Sequence, residues 1–439
     1  MEISRERRRE IISALRKGTV PQRGLDFLAV GLGRFEPVIT GELADVAQGG
    51  STFKAVRGDY GCGKTFFGRW VQEYAKKKGF ATAEVQISET ETPLHRLETV
   101  YRRAMEQLST TDTFLGAFRS IVDGWFYGLE EDVLADGTVD PSDEKSLSTR
   151  ADELLEQRLA EITRSTPQFA AALRAYRTAQ RANDHSTAEG LAGWLAGQPH
   201  VGAAVKRAAG IKGDVDHYAA LSFLRGLLLI LKDSGYSGLV LVLDEIETLQ
   251  RVRGDVREKG LNALRQLIDD IDGGRFPNLY LLTTGTPAFF DGPQGVKRLE
   301  PLAQRLHVDF QTDPRFDNAR AVQLRLSAFD HDRLLEVGIK VRDLFASDCD
   351  STDRIRQMAT DEYIDKLARA VTGKLAGKVG VAPRIFLKKL VADVLDRIDQ
   401  FPDFDPTVNY SLTISETELT VVERQAMFAE DVNDIELDL

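Results

Sequence analysis

The residues best equipped for chemistry lie in one eight-residue stretch, Gly58-Asp59-Tyr60-Gly61-Cys62-Gly63-Lys64-Thr65, with the pattern G-x-x-x-x-G-K-T. Its glycines let the backbone turn tightly enough for successive N–H groups to converge on phosphate oxygens. Lys64 carries a cation that can reach the β- and γ-phosphates of a nucleotide, and Thr65 a hydroxyl suited to Mg²⁺. A helix starting at the end of the loop adds partial positive charge at the same place. The expected phosphate-binding set is Gly58, Gly61, Cys62, Gly63, Lys64, Thr65 and Phe66, and the expected ligands are ATP and Mg²⁺.

A second group, Asp244-Glu245, follows the apolar run Leu239-Val240-Leu241-Val242-Leu243. Asp244 is suited to hold a magnesium complex, usually through water. Glu245 is suited to polarise an attacking water. Alone, an acidic pair after an apolar run says little; with the phosphate loop upstream, the two supply cradle, metal ligand and base. Other positions leave alternatives open. Thr284 and Thr286, at the end of Leu279–Leu282, can touch a γ-phosphate or simply form a turn. Glu89 and Glu91 can face the nucleotide, face solvent, or cap a helix. Arg305, and less directly Arg298, could offer a guanidinium to the phosphoryl group of a neighbouring subunit. Arg384, beside Pro383 at the start of the last helix, is placed to contact the nucleotide.

Elements must position these groups. The spacing predicts strands at Phe53–Arg57, Phe80–Ile87, Leu239–Leu243, Leu279–Leu282 and His307–Phe310. It predicts helices after the phosphate loop, over Phe35–Val46 and Asn262–Ile271, and over Ala319–Phe329, Arg333–Phe345 and Thr360–Thr372. Ser4 and Gly18 bound a first helix whose Arg5, Arg7, Arg8 and Arg9 either form a solvated face or meet phosphates or acidic partners. The apolar stretch Leu25–Leu32 can wall an adenine ring or pack as core. From Leu94 to Ile230 the pattern is mostly helical, too long for a simple crossover, and reads as a helical insertion. Gly373–Gly380 reads as a loop, and the chain after Phe401 as a thinning acidic tail.

The chain has 439 residues, 42% hydrophobic and 28% charged, with a net charge of −11. That composition is globular and fits several structural units. The acidity excludes a wholly nucleic-acid-facing surface but not a local basic patch. Two cysteines, Cys62 and Cys349, give no disulfide framework and no C-x-x-C site, which fits a cytoplasmic protein. The six histidines have no i, i+4 pair, so no zinc site is expected. No apolar run is long enough to cross a membrane, and the charged N-terminus is unlike a secretory signal.

Two motifs on strands, a polar strand end, an arginine before the next strand and a helical lid bearing Pro383-Arg384 resemble, in that order, the AAA+ ATPases, nearest the origin-recognition branch. The stretches Phe53–Thr65, Gln86–Leu97, Gly238–Glu247 and Pro383-Arg384 resemble the BrxD family of BREX phage-defence ATPases. The resemblance covers most of the chain. It implies a P-loop NTPase (AAA+) fold: a parallel α/β sheet flanked by helices, with a helical insertion and a C-terminal helical lid. The expected division is an N-terminal helix and adenine-side segment, 1–34; an ATPase core, 35–312, with the insertion at about 110–215; a lid, 313–401; and a C-terminal extension, 402–439. Lys64, Thr65, Asp244 and Glu245 carry over directly. Thr284, Arg305 and Arg384 carry over as sensor, finger and lid arginine. The implied activity is ATP hydrolysis in a homo-oligomer with sites between subunits, acting with other defence proteins and with DNA as a possible target. The alternative is a slow, ATP-gated switch that assembles partners without touching DNA. About forty residues follow the last lid helix, fewer than the winged-helix module of initiators needs, a departure that argues against direct sequence-specific DNA reading.

Overall fold

The computed structural model describes residues 3–137, 139–374 and 382–414. The strands are β1 Ser51–Arg57, β2 Ala81–Gln86, β3 Leu239–Asp244, β4 Leu279–Gly285 and β5 Gln323–Arg325. Helices α1 Arg5–Lys17, α2 Glu36–Ala47, α3 Lys64–Lys76 and α4 Leu97–Glu106 come first. The helices between β2 and β3 continue with α5 Phe118–Ala135, α6 Glu144–Ser165, α7 Pro167–Arg181, α8 His185–Leu195, α9 Ala203–Ala208 and α10 His217–Asp233. Then come α11 Gly254–Asp272, α12 Pro287–Asp291 and α13 Glu300–Arg305. The C-terminal helices are α14 His331–Ala346, α15 Thr352–Met358, α16 Asp361–Lys374, α17 Ala382–Lys388, a π-helical segment Lys389–Leu395, α18 Asp396–Gln400 and α19 Pro406–Asn409. The sheet order is β2-β3-β4-β1-β5, and β1–β5, β2–β3 and β3–β4 pair in parallel.

The chain divides into two compact units. One comprises residues 41–54 and 74–283. Here β3 is buried along its whole length, as an unbroken Leu/Val run requires of a strand covered on both faces. It pairs with β2 from Ala81↔Leu239 to Gln86↔Asp244. The helical segment α4 to α10 leaves from the end of β2 and leads to β3. Its own core gathers aromatic rings: Phe223 lies 4.9 Å from Phe169, 5.2 Å from Trp194 and 6.0 Å from Tyr101. The Tyr101 hydroxyl donates to Leu195 O at 2.8 Å, so the buried ring carries no orphaned polar atom.

The other unit comprises residues 1–40, 55–73 and 284–439. Ser4 caps α1 by accepting from Arg7 N, and Gly18, at φ 70°, ends it. The buried face of α1, Ile11, Ile12 and Leu15, joins one cluster with α14, α16, α17 and the π-helical segment. The arginines of α1 are used within the chain: Arg5 and Arg9 both reach Asp348, Arg16 reaches Asp396, and Arg7 lies 3.7 Å from Glu73. Arg5, Arg7, Arg9 and Arg16 are thus engaged by acidic residues of the same unit.

Two sequence expectations change here. His307–Phe310 is not a strand, and Ala319–Phe329 is not a helix; the last strand is Gln323–Arg325. The Phe310 ring is taken by two guanidiniums, Arg57 at 4.7 Å and Arg325 at 5.0 Å, while Arg325 Nη1 donates to Phe310 O. That segment is thereby held across the strand ends. Gln323 and Leu324 pair with β1 instead, and buried Leu324 and Leu326 follow the alternation of a strand. The segment after Phe401 also folds back: Tyr410, Leu412 and Ile414 pack on the helical cluster, and the Tyr410 hydroxyl donates to Asp393. Most of the glycine loop at Gly373–Gly380, and the acidic end of the chain, lie outside the described residues.

Candidate nucleotide site

In the first element of the site, β1 runs into the glycine loop and α3 opens at Lys64. Gly61 at φ 76° and Gly63 at φ 96° are left-handed, conformations that a side chain would oppose. Gly58 is required for a different reason: a Cβ there would lie 2.4 Å from Cys62 Sγ and 3.1 Å from Leu326 O. The loop is anchored by Gly58 N donating to Gly285 O at 3.1 Å and by Phe67 N donating to Gly63 O at 2.8 Å. The Lys64 ammonium is buried and donates to the carbonyls of Gly58, 2.8 Å, and Asp59, 3.2 Å. Its charge is therefore held inside the loop's curve. Thr65 and Phe66 are half-buried. Burial pushes the Cys62 thiol up to about 11, so it is a packing residue and not a ready nucleophile.

Beside this loop stands an apolar wall. Leu28 and Val30 belong to the helical core, Phe66 and Phe329 pack against that core, and the Phe329 ring is the nearest group to Gly63. The Leu25–Leu32 stretch thus packs as core, close to the loop's side. Arg384 lies against Gly18, its Nη1 3.4 Å from where a Cβ would stand.

In the other unit, Asp244 ends β3 and is buried. Glu245 has φ 61° and ψ 43°, a left-handed backbone at a non-glycine residue. Such a conformation is uncommon and is retained where surrounding bonds over-determine it. Here Ile87 N donates to Asp244 O at 2.9 Å, and Thr248 N donates to Glu245 O at 3.1 Å. The Thr248 hydroxyl adds a bond at 3.0 Å to the same oxygen. The backbone aims the Glu245 side chain, and Gln86 then holds it: Gln86 Nε2 donates to Glu245 Oε2 at 2.9 Å.

Gln86 is the residue that sequence reasoning passed over. Its signal was present, a polar residue closing an apolar strand, but only the β2–β3 register sets it opposite Asp244. Attention at that strand end had gone to Glu89 and Glu91. Both are exposed on a turn whose N–H groups at Glu91 and Thr92 are capped by the Ser88 hydroxyl, and Glu91 lies 3.6 Å from Arg103. Thr286 also has a local task, capping α12 by accepting from Phe289 N, whereas Thr284 is fully buried at the end of β4. Arg305 is exposed at the end of α13, with Nη1 donating to Pro301 O at 2.9 Å; Arg298 donates to Gln294 at 3.2 Å.

Within the unit that carries the phosphate loop, a buried ammonium turned onto main-chain carbonyls, left-handed glycines and the Thr65 hydroxyl at a helix start are groups that suit phosphate oxygens. Within the other, Asp244 is a hard oxygen donor of the kind Mg²⁺ takes. No group of three or more histidine, cysteine or acidic residues able to hold a metal occurs among the described residues. Among the same residues no helix is long and apolar enough to cross a membrane.

The profile of the family described as "BREX system ATP-binding protein BrxC/D" matches residues 3–414. The chain belongs to that family. No curated protein and no solved structure matches it.

Proposed function

We propose that this BREX ATP-binding protein hydrolyses ATP and couples turnover to action on DNA or on a DNA-bound partner. One observation carries the hydrolytic part: Glu245 is held in a left-handed backbone directly after a buried strand, with its carboxylate fixed by Gln86. A carboxylate set at the end of a buried strand is suited to take the proton of an attacking water, and the Gln86 bond restrains it until released. In this reading Lys64 neutralises the β- and γ-phosphates, and the N–H groups from Gly61 to Phe66 bind their oxygens. Thr65 and Asp244 would hold Mg²⁺, which when bound neutralises charge on the phosphates. Thr284 serves as the sensor hydroxyl and Arg384 as the lid arginine. Arg305 serves as a finger toward a neighbouring copy in a homo-oligomer.

The same proposal takes the fold as AAA+ of the origin-recognition-like branch, with the insertion at about 110–215 and the lid at 313–401. It places the protein in the cytoplasm with other defence proteins. The Gln86 bond favours low basal turnover, which also supports the second reading, a slow switch that assembles partners. Stimulation of hydrolysis by DNA separates the two.

Glu245→Gln tests the proposal. It should bind ATP as the wild type does and lose about 10²–10⁴-fold in turnover, the usual worth of a general base. Lys64→Ala should lose ATP binding in calorimetric titration while remaining folded. Turnover of Glu245→Gln within about threefold of wild type, far short of that range, would remove Glu245 from the base role.

A further inference from the structure

Directly after Glu245 the chain makes a 3₁₀ turn, Ile246–Gln250, and a short link to α11. The i→i+3 bonds of such a turn are poorly aligned, and the carbonyls at its end have no later donor of their own. One side chain takes them. Arg257, half-buried in the first turn of α11, donates through Nε to Leu249 O at 3.1 Å. Through Nη2 it donates to Gln250 O at 2.7 Å and to Val252 O at 2.9 Å. The planar fork of a guanidinium can span several carbonyls in this way, and an ammonium cannot. Arg257 N donates to Arg253 O at 2.9 Å, which fixes the residue's own main chain in the helix. α11 also closes on the turn through packing: a Cβ at Gly260 would lie 2.5 Å from Cδ2 of the buried Leu249. At its other end the turn reaches the glutamate. Thr248 gives both its N–H and its hydroxyl to Glu245 O, and its own carbonyl accepts from Arg251 N at 3.0 Å. All of these residues belong to one compact unit.

We propose that Arg257 is a positioning residue for Glu245: its guanidinium holds the turn that keeps the glutamate in its left-handed backbone. The inference rests on the reading of Glu245 as the base and adds a residue to that site. A left-handed backbone at a non-glycine residue relaxes unless its surroundings hold it. Thr248 holds Glu245 only as firmly as Thr248 is itself held, and it stands inside a weakly bonded turn. Arg257 anchors that turn to α11, whose Leu261 and Leu264 are buried in the core. With the guanidinium gone, the carbonyls of Leu249, Gln250 and Val252 turn to water and the turn loosens. Glu245 then relaxes toward the ordinary right-handed region and carries its carboxylate out of place. A misplacement of about 1 Å can cost roughly 10²-fold in rate. Arg257 acts on the main chain after the base and not on the phosphate-binding groups, so the cost falls on turnover and not on nucleotide affinity.

The test uses the full-length protein with Arg257→Ala and Arg257→Lys. Each variant is read in two ways, by steady-state phosphate release and by hydrogen exchange of the peptide Glu245–Val252. In Arg257→Ala, kcat should fall roughly 10- to 100-fold, the usual scale for a residue that orients a site from behind. ATP affinity in calorimetric titration should be unchanged. Exchange at Thr248 and Arg251 should quicken while β3 and the body of α11 keep their protection. Arg257→Lys keeps the cation without the fork and should fall between Arg257→Ala and the wild type in both readouts. Thr248→Val loosens the same turn, so the double variant with Arg257→Ala should lose less than the product of the two single losses. Unchanged exchange in Arg257→Ala would overturn the proposal. So would faster exchange with wild-type kcat, a matching loss of ATP affinity, or fully multiplicative losses in the double variant. Should Arg257→Ala fail to fold, Arg257→Lys carries the same two readouts. Absence of hydrolysis in the wild type would count against the base reading alone, and the exchange measurement would still decide whether Arg257 holds the turn behind Glu245.

Discussion

Removing the side-chain amide of Gln86 asks how the Glu245 carboxylate is held. The bond is 2.9 Å long, from an exposed amide to a half-buried carboxylate. A hydrogen bond to a charged group contributes about 1.5–3 kcal/mol when sheltered, and solvent at Gln86 reduces that to about 0.5–1.5 kcal/mol. The donated N–H pins one carboxylate oxygen and must be released before that oxygen can take a proton from water. Gln86→Ala should therefore raise basal phosphate release by roughly 2- to 13-fold, the equivalent of that energy in rate, with ATP affinity unchanged. Gln86→Glu sets a second carboxylate beside the first. Like charge raises a carboxyl pKa, so the acid limb of the pH–rate profile should move to higher pH. Steady-state phosphate release from pH 5 to 9 in both variants is the assay. A fall of Gln86→Ala toward the level of Glu245→Gln would mean that the amide orients the carboxylate productively. An unchanged rate would mean that it does neither.

Mixed assemblies test Arg305. Glu245→Gln subunits keep the guanidinium and Arg305→Ala subunits keep the base, so co-assembled mixtures should regain activity that neither has alone; no recovery, or full activity of Arg305→Ala, returns Arg305 to the ordinary surface. Asp365 offers a pH test of stability, because hydrogen bonds from Arg369 first and His331 second hold its carboxyl at about 2, below the ordinary 3.8. A depressed pKa stabilises the fold above the unfolded value and loses that contribution as pH falls through the folded one, so Asp365→Asn should lower Tm at pH 7 and flatten the decline of Tm between about pH 4 and pH 2.

What was legible in the sequence was local. The phosphate loop, β3 and the first helix each carry their own instructions: glycines at fixed spacing, an unbroken Leu/Val run, a serine and a glycine bounding one apolar stripe. What was not legible depended on partners distant in sequence. Gln323–Arg325 has the length of a helix turn and becomes a strand because β1 offers an unpaired edge at Ala55–Arg57. Phe310 reads as strand until two arginines claim its ring. The arginines of α1 could not be assigned partners because Asp348 and Asp396 lie more than three hundred residues away. Gln86 differs from its neighbours only through its register with β3.

The position of β2 gives that register its mechanical weight. β2 is the edge strand of the sheet, bonded to β3 along one side and bridged on the other at Thr82, which exchanges main-chain bonds with Ser109. The chain that leaves it passes through His95 and Arg96 into the whole insertion. At the same end, three contacts tie Gln86 and Ile87 to the end of β3 and the residues after it, and a fourth holds the Glu245 main chain locally. Ile87 N donates to Asp244 O, the Thr248 hydroxyl lies 3.4 Å from Ile87 O and 3.0 Å from Glu245 O, and Gln86 holds the Glu245 carboxylate. A left-handed glutamate costs of order 1–3 kcal/mol and persists only while such bonds hold it. The glutamate's geometry is therefore fastened to the end of β2 through Gln86, Ile87 and Thr248.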